Sequence, residues 1–134
     1  MTKKRQTQEP PSFEPDARNV PAAARRLREE TRRRCLALPG AVEEHPWRVA
    51  GVYKVRGRIF ASTDFNGGVF EVAFKPPEEE RDDALALPFV RVADYVGRFG
   101  WVQAALTKKR ELEIVWPWIE AAHRRLAEKK TRSK

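Results

Sequence analysis

The chain has 134 residues, 41% of them apolar and 34% charged, with a formal net charge of +8. This length and balance fit one globular domain with its own core and exclude a wholly disordered chain. No apolar run approaches the roughly eighteen residues of a membrane-spanning helix, the single cysteine Cys35 excludes an internal disulfide, and the basic start Met1-Thr2-Lys3-Lys4-Arg5 has no apolar stretch behind it to make a secretory signal. A cytoplasmic monomer with no membrane attachment is expected. The charge is unevenly spread: residues 1–34 and 108–134 each carry a net +5, and residues 35–107 a net −2. A basic surface favours encounter with phosphate polymers through counterion release, and it also keeps a small protein soluble.

Residues 1–21 hold Pro10, Pro11, Pro15 and Pro21 among polar residues with no apolar period, and read as a flexible basic arm. Pro21 suits a helix start, because its missing N–H would go unpaired there. Ala24, Leu27, Thr31, Cys35 and Leu38 then recur near helical spacing, arginines fill the other faces, and Pro39-Gly40 ends the helix. On that stripe Cys35 reads as a buried, inert thiol. Residues 49–55, 58–64 and 69–75 read as three strands joined by turns at Arg56-Gly57 and Asn66-Gly67-Gly68, an antiparallel meander. In the second strand Ile59, Ala61 and Thr63 fall on one face, and Phe60, Ser62 and Asp64 on the other.

Glu78-Glu79-Glu80 opens a short helix to about Leu87. Its acidic first turn complements the helix dipole, which explains these carboxylates without a metal. Residues 89–92 form a short extended piece, Gly97 and Gly100 bracket a turn, and residues 101–106 make a further strand. Leu112, Val115, Trp116, Ile119, His123 and Leu126 mark a last helix, predicted from about residue 116 to 129 because Pro117 suits a first helical turn. Residues 22–128 are thus expected to form one α+β domain of two layers, an antiparallel sheet covered on one face by the N- and C-terminal helices. Residues 129–134 are a basic tail.

Catalytic signatures are sparse. The two histidines, His45 and His123, lie far apart, and with one cysteine they offer no metal-ligand spacing. There is no phosphate-cradling glycine motif and no nucleophile elbow. Glu43-Glu44-His45 fits a loop, and Cys35 and His123 fit apolar helical stripes, better than either fits a reactive pair. A non-enzyme without a cofactor is expected.

Two binding readings follow. Lys54, Arg56 and Arg58 surround one turn and share a parity, which projects them to one side as a wing able to grip DNA phosphates. Lys75, Arg91, Arg98 and the cluster Lys108-Lys109-Arg110 would widen that footprint. In the alternative, Trp47, Phe99, Trp116 and Trp118 line an aromatic groove for an unidentified protein partner or a small ligand.

A set of short motifs runs through the chain in order. It comprises Leu36-Ala37-Leu38-Pro39-Gly40-Ala41-Val42-Glu43-Glu44, then Pro46-Trp47, then Tyr53-Lys54-Val55-Arg56-Gly57-Arg58-Ile59-Phe60-Ala61, then Val72-Ala73-Phe74-Lys75, and last Ala93-Asp94-Tyr95-Val96-Gly97-Arg98-Phe99-Gly100-Trp101-Val102. Their order and spacing resemble the MmcQ/YjbR family over roughly residues 27–128. The chain departs from the family pattern at Ala122-His123, where a Ser-Tyr pair is common, and at Trp47-Arg48, where Trp-Gly is common. The resemblance implies a CyaY-like α+β fold, a DNA-binding role through two hairpin wings, and no catalytic residues. Frataxin-type iron binding, known for a relative of that fold, depends on an acidic first helix, and here that helix is basic.

Overall fold

The computed structural model describes residues 20–45, 50–94 and 96–128. Within them the chain forms α1 (Ala22–Leu36), β1 (Ala41–Glu44), β2 (Gly51–Val55), β3 (Arg58–Asn66), β4 (Val69–Phe74), α2 (Arg81–Leu85), β5 (Val90–Val92), β6 (Val102–Leu106) and α3 (Lys109–Glu128). Single 3-10 turns at Glu78–Glu80 and Gly97–Phe99 lead into α2 and β6. The strands make one antiparallel sheet in the order β1-β2-β3-β4-β6-β5.

The α+β expectation holds. Alternation sends Phe70, Val72 and Phe74 of β4 toward the helices, together with their cross-strand partners Leu106, Ala104 and Val102 of β6. Helix α1 buries Ala24, Leu27, Thr31 and Cys35 against this face, and α3 buries Leu112, Val115, Ile119, Ala122 and His123. The Phe60 ring meets His123 edge-on, and Trp118 stacks on Phe74. Val20, which its prolines placed in the arm, is buried and belongs to this core. Residues 1–19 of the arm, the tail, Trp47 and Tyr95 lie outside the described residues.

Three local expectations are corrected. The strand β1 was not anticipated, since Ala41–Glu44 has only one strongly apolar residue, Val42, and that side chain is exposed. Phe60 does not alternate with Ala61. Tyr53 pairs with Ala61 and Lys54 with Ile59, so Phe60 has no residue opposite it and a bulge turns it into the core, fully buried. Helix α3 begins at Lys109 and runs straight through Pro117. Pro117 is exposed, and so is Glu113, whose carbonyl loses the intrahelical donor that proline lacks. The missing bond thus falls on the exposed side of the helix, and the buried stripe carries the helix past it.

Candidate nucleic-acid interface

The β2–β3 hairpin closes on Arg56 and Gly57 at φ 54° and 78°, the conformation of a tight two-residue turn matching strand twist. Glycine accepts such angles freely. Arg56 is the one non-glycine residue at positive φ among the described residues, and it stands at the exposed tip. A two-residue turn also resets strand parity. Arg58 pairs with Val55, whose side chain is in the core, while Lys54 pairs with Ile59 on the opposite face. Lys54 and Arg58 therefore do not project to one side, contrary to the parity expectation.

Pairing separates the predicted cations further. Lys54 Nζ lies 2.9 Å from Glu44 Oε1. Arg91 donates through both terminal nitrogens to the carboxylate of Glu71, a side chain only 5% exposed that also accepts from Gln103 at 2.6 Å. Both cations are thus neutralised on the sheet face away from the helices. The arginines of α1 are also engaged. Arg32 donates to Glu43, which accepts from Tyr53 as well; Arg33 and Arg34 bind Glu30; and Arg34 reaches across to Glu113 of α3. Burial and the Glu43 charge push the Tyr53 hydroxyl pKa far up, so it stays a neutral donor.

The cluster Lys108-Lys109-Arg110 is exposed but remote from the hairpin tip. Strand β6 starts beside the end of β4, with Val102 opposite Phe74, and finishes with Leu106 opposite Phe70. Lys108 therefore leaves the sheet at the far end from Lys75. Helix α3 then returns across the sheet, and its 20 residues span about 30 Å.

That return brings together what the sequence keeps apart. At the hairpin end a cavity of about 460 Å³ is lined by Gly57, Arg58, Ile59 and Phe60 of the hairpin, Lys75, Trp101, and Ala122, Arg125 and Leu126 of α3. Among the described residues no Asp or Glu lines it. Arg125 Nη2 donates to the Lys75 carbonyl at 3.2 Å, which fixes the guanidinium across the end of β4. The Lys75 stem lies along Gly100, where an added Cβ would stand 3.2 Å from Lys75 Cε, and Gly100 itself has φ 96°. Arg98 lies over the Phe99 ring two residues before that glycine.

A model of the YjbR family matches residues 36–125. The chain belongs to the YjbR family. A crystal structure of the Deinococcus radiodurans protein DR2400, of domain family DUF419, superposes with a TM-score of 0.66 at 22% identity, covering 79% of this chain and 81% of that one. At that identity the likeness shows the shared fold. A search of curated proteins gives no match.

In this YjbR domain the aromatic groove does not form from its described members. Trp116 lies under the Arg34 guanidinium toward α1, Trp118 stacks on Phe74 and donates to Glu80 at 2.6 Å, and Phe99 is 56% exposed on the turn before β6. Their partners differ and hold them apart, and Trp47 lies outside the described residues. The same Trp118 contact gives Glu80 a structural role, and no three His, Cys, Asp or Glu side chains gather as a metal site among the described residues. Cys35 is fully buried, and desolvation pushes its thiol pKa far up, which suppresses the thiolate. His123 faces Phe60, with Nε2 2.8 Å from the Pro39 carbonyl oxygen. No helix among the described residues is long and apolar enough to cross a membrane.

Two residues at the basic end escaped sequence reasoning. Trp101 reads as a sheet-covering aromatic, and Arg125 as one of several cations on a terminal helix. Only the length of α3, once it starts at Lys109, places Arg125 over the end of β4.

Proposed function

We propose that this YjbR domain is a non-catalytic DNA-binding module that grips phosphates with the hairpin end of its sheet. The observation that carries the reading is the separation of paired from unpaired cations. Lys54, Arg91 and, on α1, Arg28, Arg32, Arg33 and Arg34 are tied to carboxylates, whereas Arg56, Arg58, Lys75 and Arg125 converge at one end with no carboxylate partner among the described residues. Arg98 stands beside this group. Such a surface contacts the backbone and carries little sequence information. The strained Arg56 supports the same reading, because a cation sits where asparagine or glycine would fold more easily.

Fluorescence anisotropy with a labelled duplex, titrated with salt, tests this. The Arg56→Ala/Arg58→Ala variant is expected to bind at least about tenfold more weakly at low salt and to lower the slope of log affinity against log salt by about 2. Changing Lys108, Lys109 and Arg110 together to Ala should weaken binding much less. Unchanged affinity in the hairpin variant would sink the proposal.

A further inference from the structure

We infer that the cavity between the hairpin, Lys75 and α3 is a subsite for one nucleotide with a terminal phosphate. The inference rests on reading this end of the sheet as phosphate-binding, and it adds a defined pocket to a diffuse surface. At about 460 Å³ the cavity falls in the range of small-molecule sites and is too small for a duplex.

Its lining divides by chemistry. Arg58, Lys75 and Arg125 supply three cations. A bridging phosphodiester carries one negative charge, whereas a terminal phosphate carries nearly two and presents three acceptor oxygens, so the terminal group matches this charge better. Arg125 spends one of its five N–H donors on the Lys75 carbonyl and keeps the others for a ligand. The half-buried Trp101 supplies an aromatic wall and the half-buried Leu126 an apolar one, as a nucleobase requires. Gly100 is part of the device, since a side chain there would press on the Lys75 stem. Two sources share this chemistry, a free nucleoside monophosphate and the phosphorylated end of a strand.

Calorimetric titration of the full chain with thymidine monophosphate, thymidine and inorganic phosphate tests the subsite. Thymidine monophosphate should bind at least about tenfold more tightly than thymidine, the scale of losing a charge-assisted contact. Arg125→Ala and Arg58→Ala should each weaken it by about tenfold, with Arg125→Lys recovering part of the loss. Trp101→Ala should bring thymidine monophosphate down toward inorganic phosphate. Arg58 and Arg125 are exposed, and unchanged melting curves will show that their variants fold.

A companion pair of oligothymidylates, ending in a phosphate or a hydroxyl, separates the sources. A preference for the phosphorylated end assigns the subsite to strand ends. Equal binding of the two, beside tight binding of the monophosphate, assigns it to the free nucleotide. Equal affinity for thymidine and its monophosphate, no binding of either, or indifference to Arg125→Ala would overturn the inference. If duplex binding still depended on Arg56 and Arg58, the surface reading would survive that result. Conversely, a monophosphate site without duplex binding would remove the surface reading and leave the pocket.

Discussion

Arg34 and Arg125 sit on the two helices that cover one sheet, and their surroundings set them to different work. Arg34 is held by Glu30 within α1 and by Glu113 on α3, and it lies over Trp116, so its charge ties helix to helix. Arg125 touches a carbonyl and lines a cavity with no carboxylate among the described residues. The same contrast separates Lys54 from Arg58 across a single turn. A net charge of +8 therefore overstates the free positive surface. What matters is which cations the fold leaves unneutralised: Lys108, Lys109 and Arg110 stay exposed at the far end of the sheet, whereas Arg58, Lys75 and Arg125 line one cavity at the hairpin end.

The largest expected effect comes from breaking a paired cation. Glu71 is buried and accepts from Arg91 and Gln103, with Asn66 at its margin. Glu71→Ala leaves the half-buried Gln103 without its partner and frees the exposed Arg91 to water, and is expected to cost about 1–2 kcal/mol in urea unfolding. DNA affinity should hold or rise slightly, because Arg91 is released. A large loss of affinity in the folded variant would place Arg91 in the interface and erase the contrast between paired and unpaired cations.

The hairpin tip should respond in the opposite sense. Arg56 occupies a left-handed conformation that costs a side chain with a Cβ about 1 kcal/mol. Arg56→Gly is therefore expected to raise stability by up to about that amount while weakening DNA binding. Paired urea and anisotropy measurements check both. A variant that loses stability would show that Arg56 packs structurally, which would move it to the same class as Arg34.

Much of the fold was legible in the sequence. The apolar stripes of α1 and α3 and the turns at Arg56-Gly57 and Asn66-Gly67-Gly68 are local signals, and each formed, although α3 starts at Lys109 rather than near Trp116. The failures share one cause, in that they depend on distant partners. The strand β1 exists because β2 offers it an edge, not because Ala41–Glu44 alternates. The bulge at Phe60 is a two-strand property, and Pro117 is tolerated because the α3 stripe on either side is buried. At the site, Arg56 and Arg58 were legible as a basic turn. The partners of Lys54 and Arg91 were not, because a sequence shows a cation without showing its counterion. Arg125 and Trp101 are 24 residues apart and meet only across the sheet.

The smallest effect concerns the ion pairs of α1, and its sign follows from the carboxylates. Hydrogen bonds from Arg34 and Arg33 hold the Glu30 pKa at about 2, below its ordinary 4.5, and a hydrogen bond from Arg34 also lowers that of Glu113. Groups whose pKa is lower in the folded state stabilise it fully above their unfolded pKa. They lose that contribution as pH falls through the folded value, here between 4.5 and about 2 for Glu30. Both carboxylates lie in a well-solvated setting, so the contribution is modest and weakens with salt. The Glu30→Gln/Glu113→Gln variant should accordingly unfold at a slightly lower urea concentration at neutral pH, and its stability should depend less on pH across that window than the natural chain's. The cations at the hairpin end have no carboxylate partner among the described residues, so the substitutions should leave DNA affinity at neutral pH unchanged. An identical pH slope in the two proteins would mean that the α1 arginines are as unconstrained as Arg125, and the distinction between the two helices would collapse.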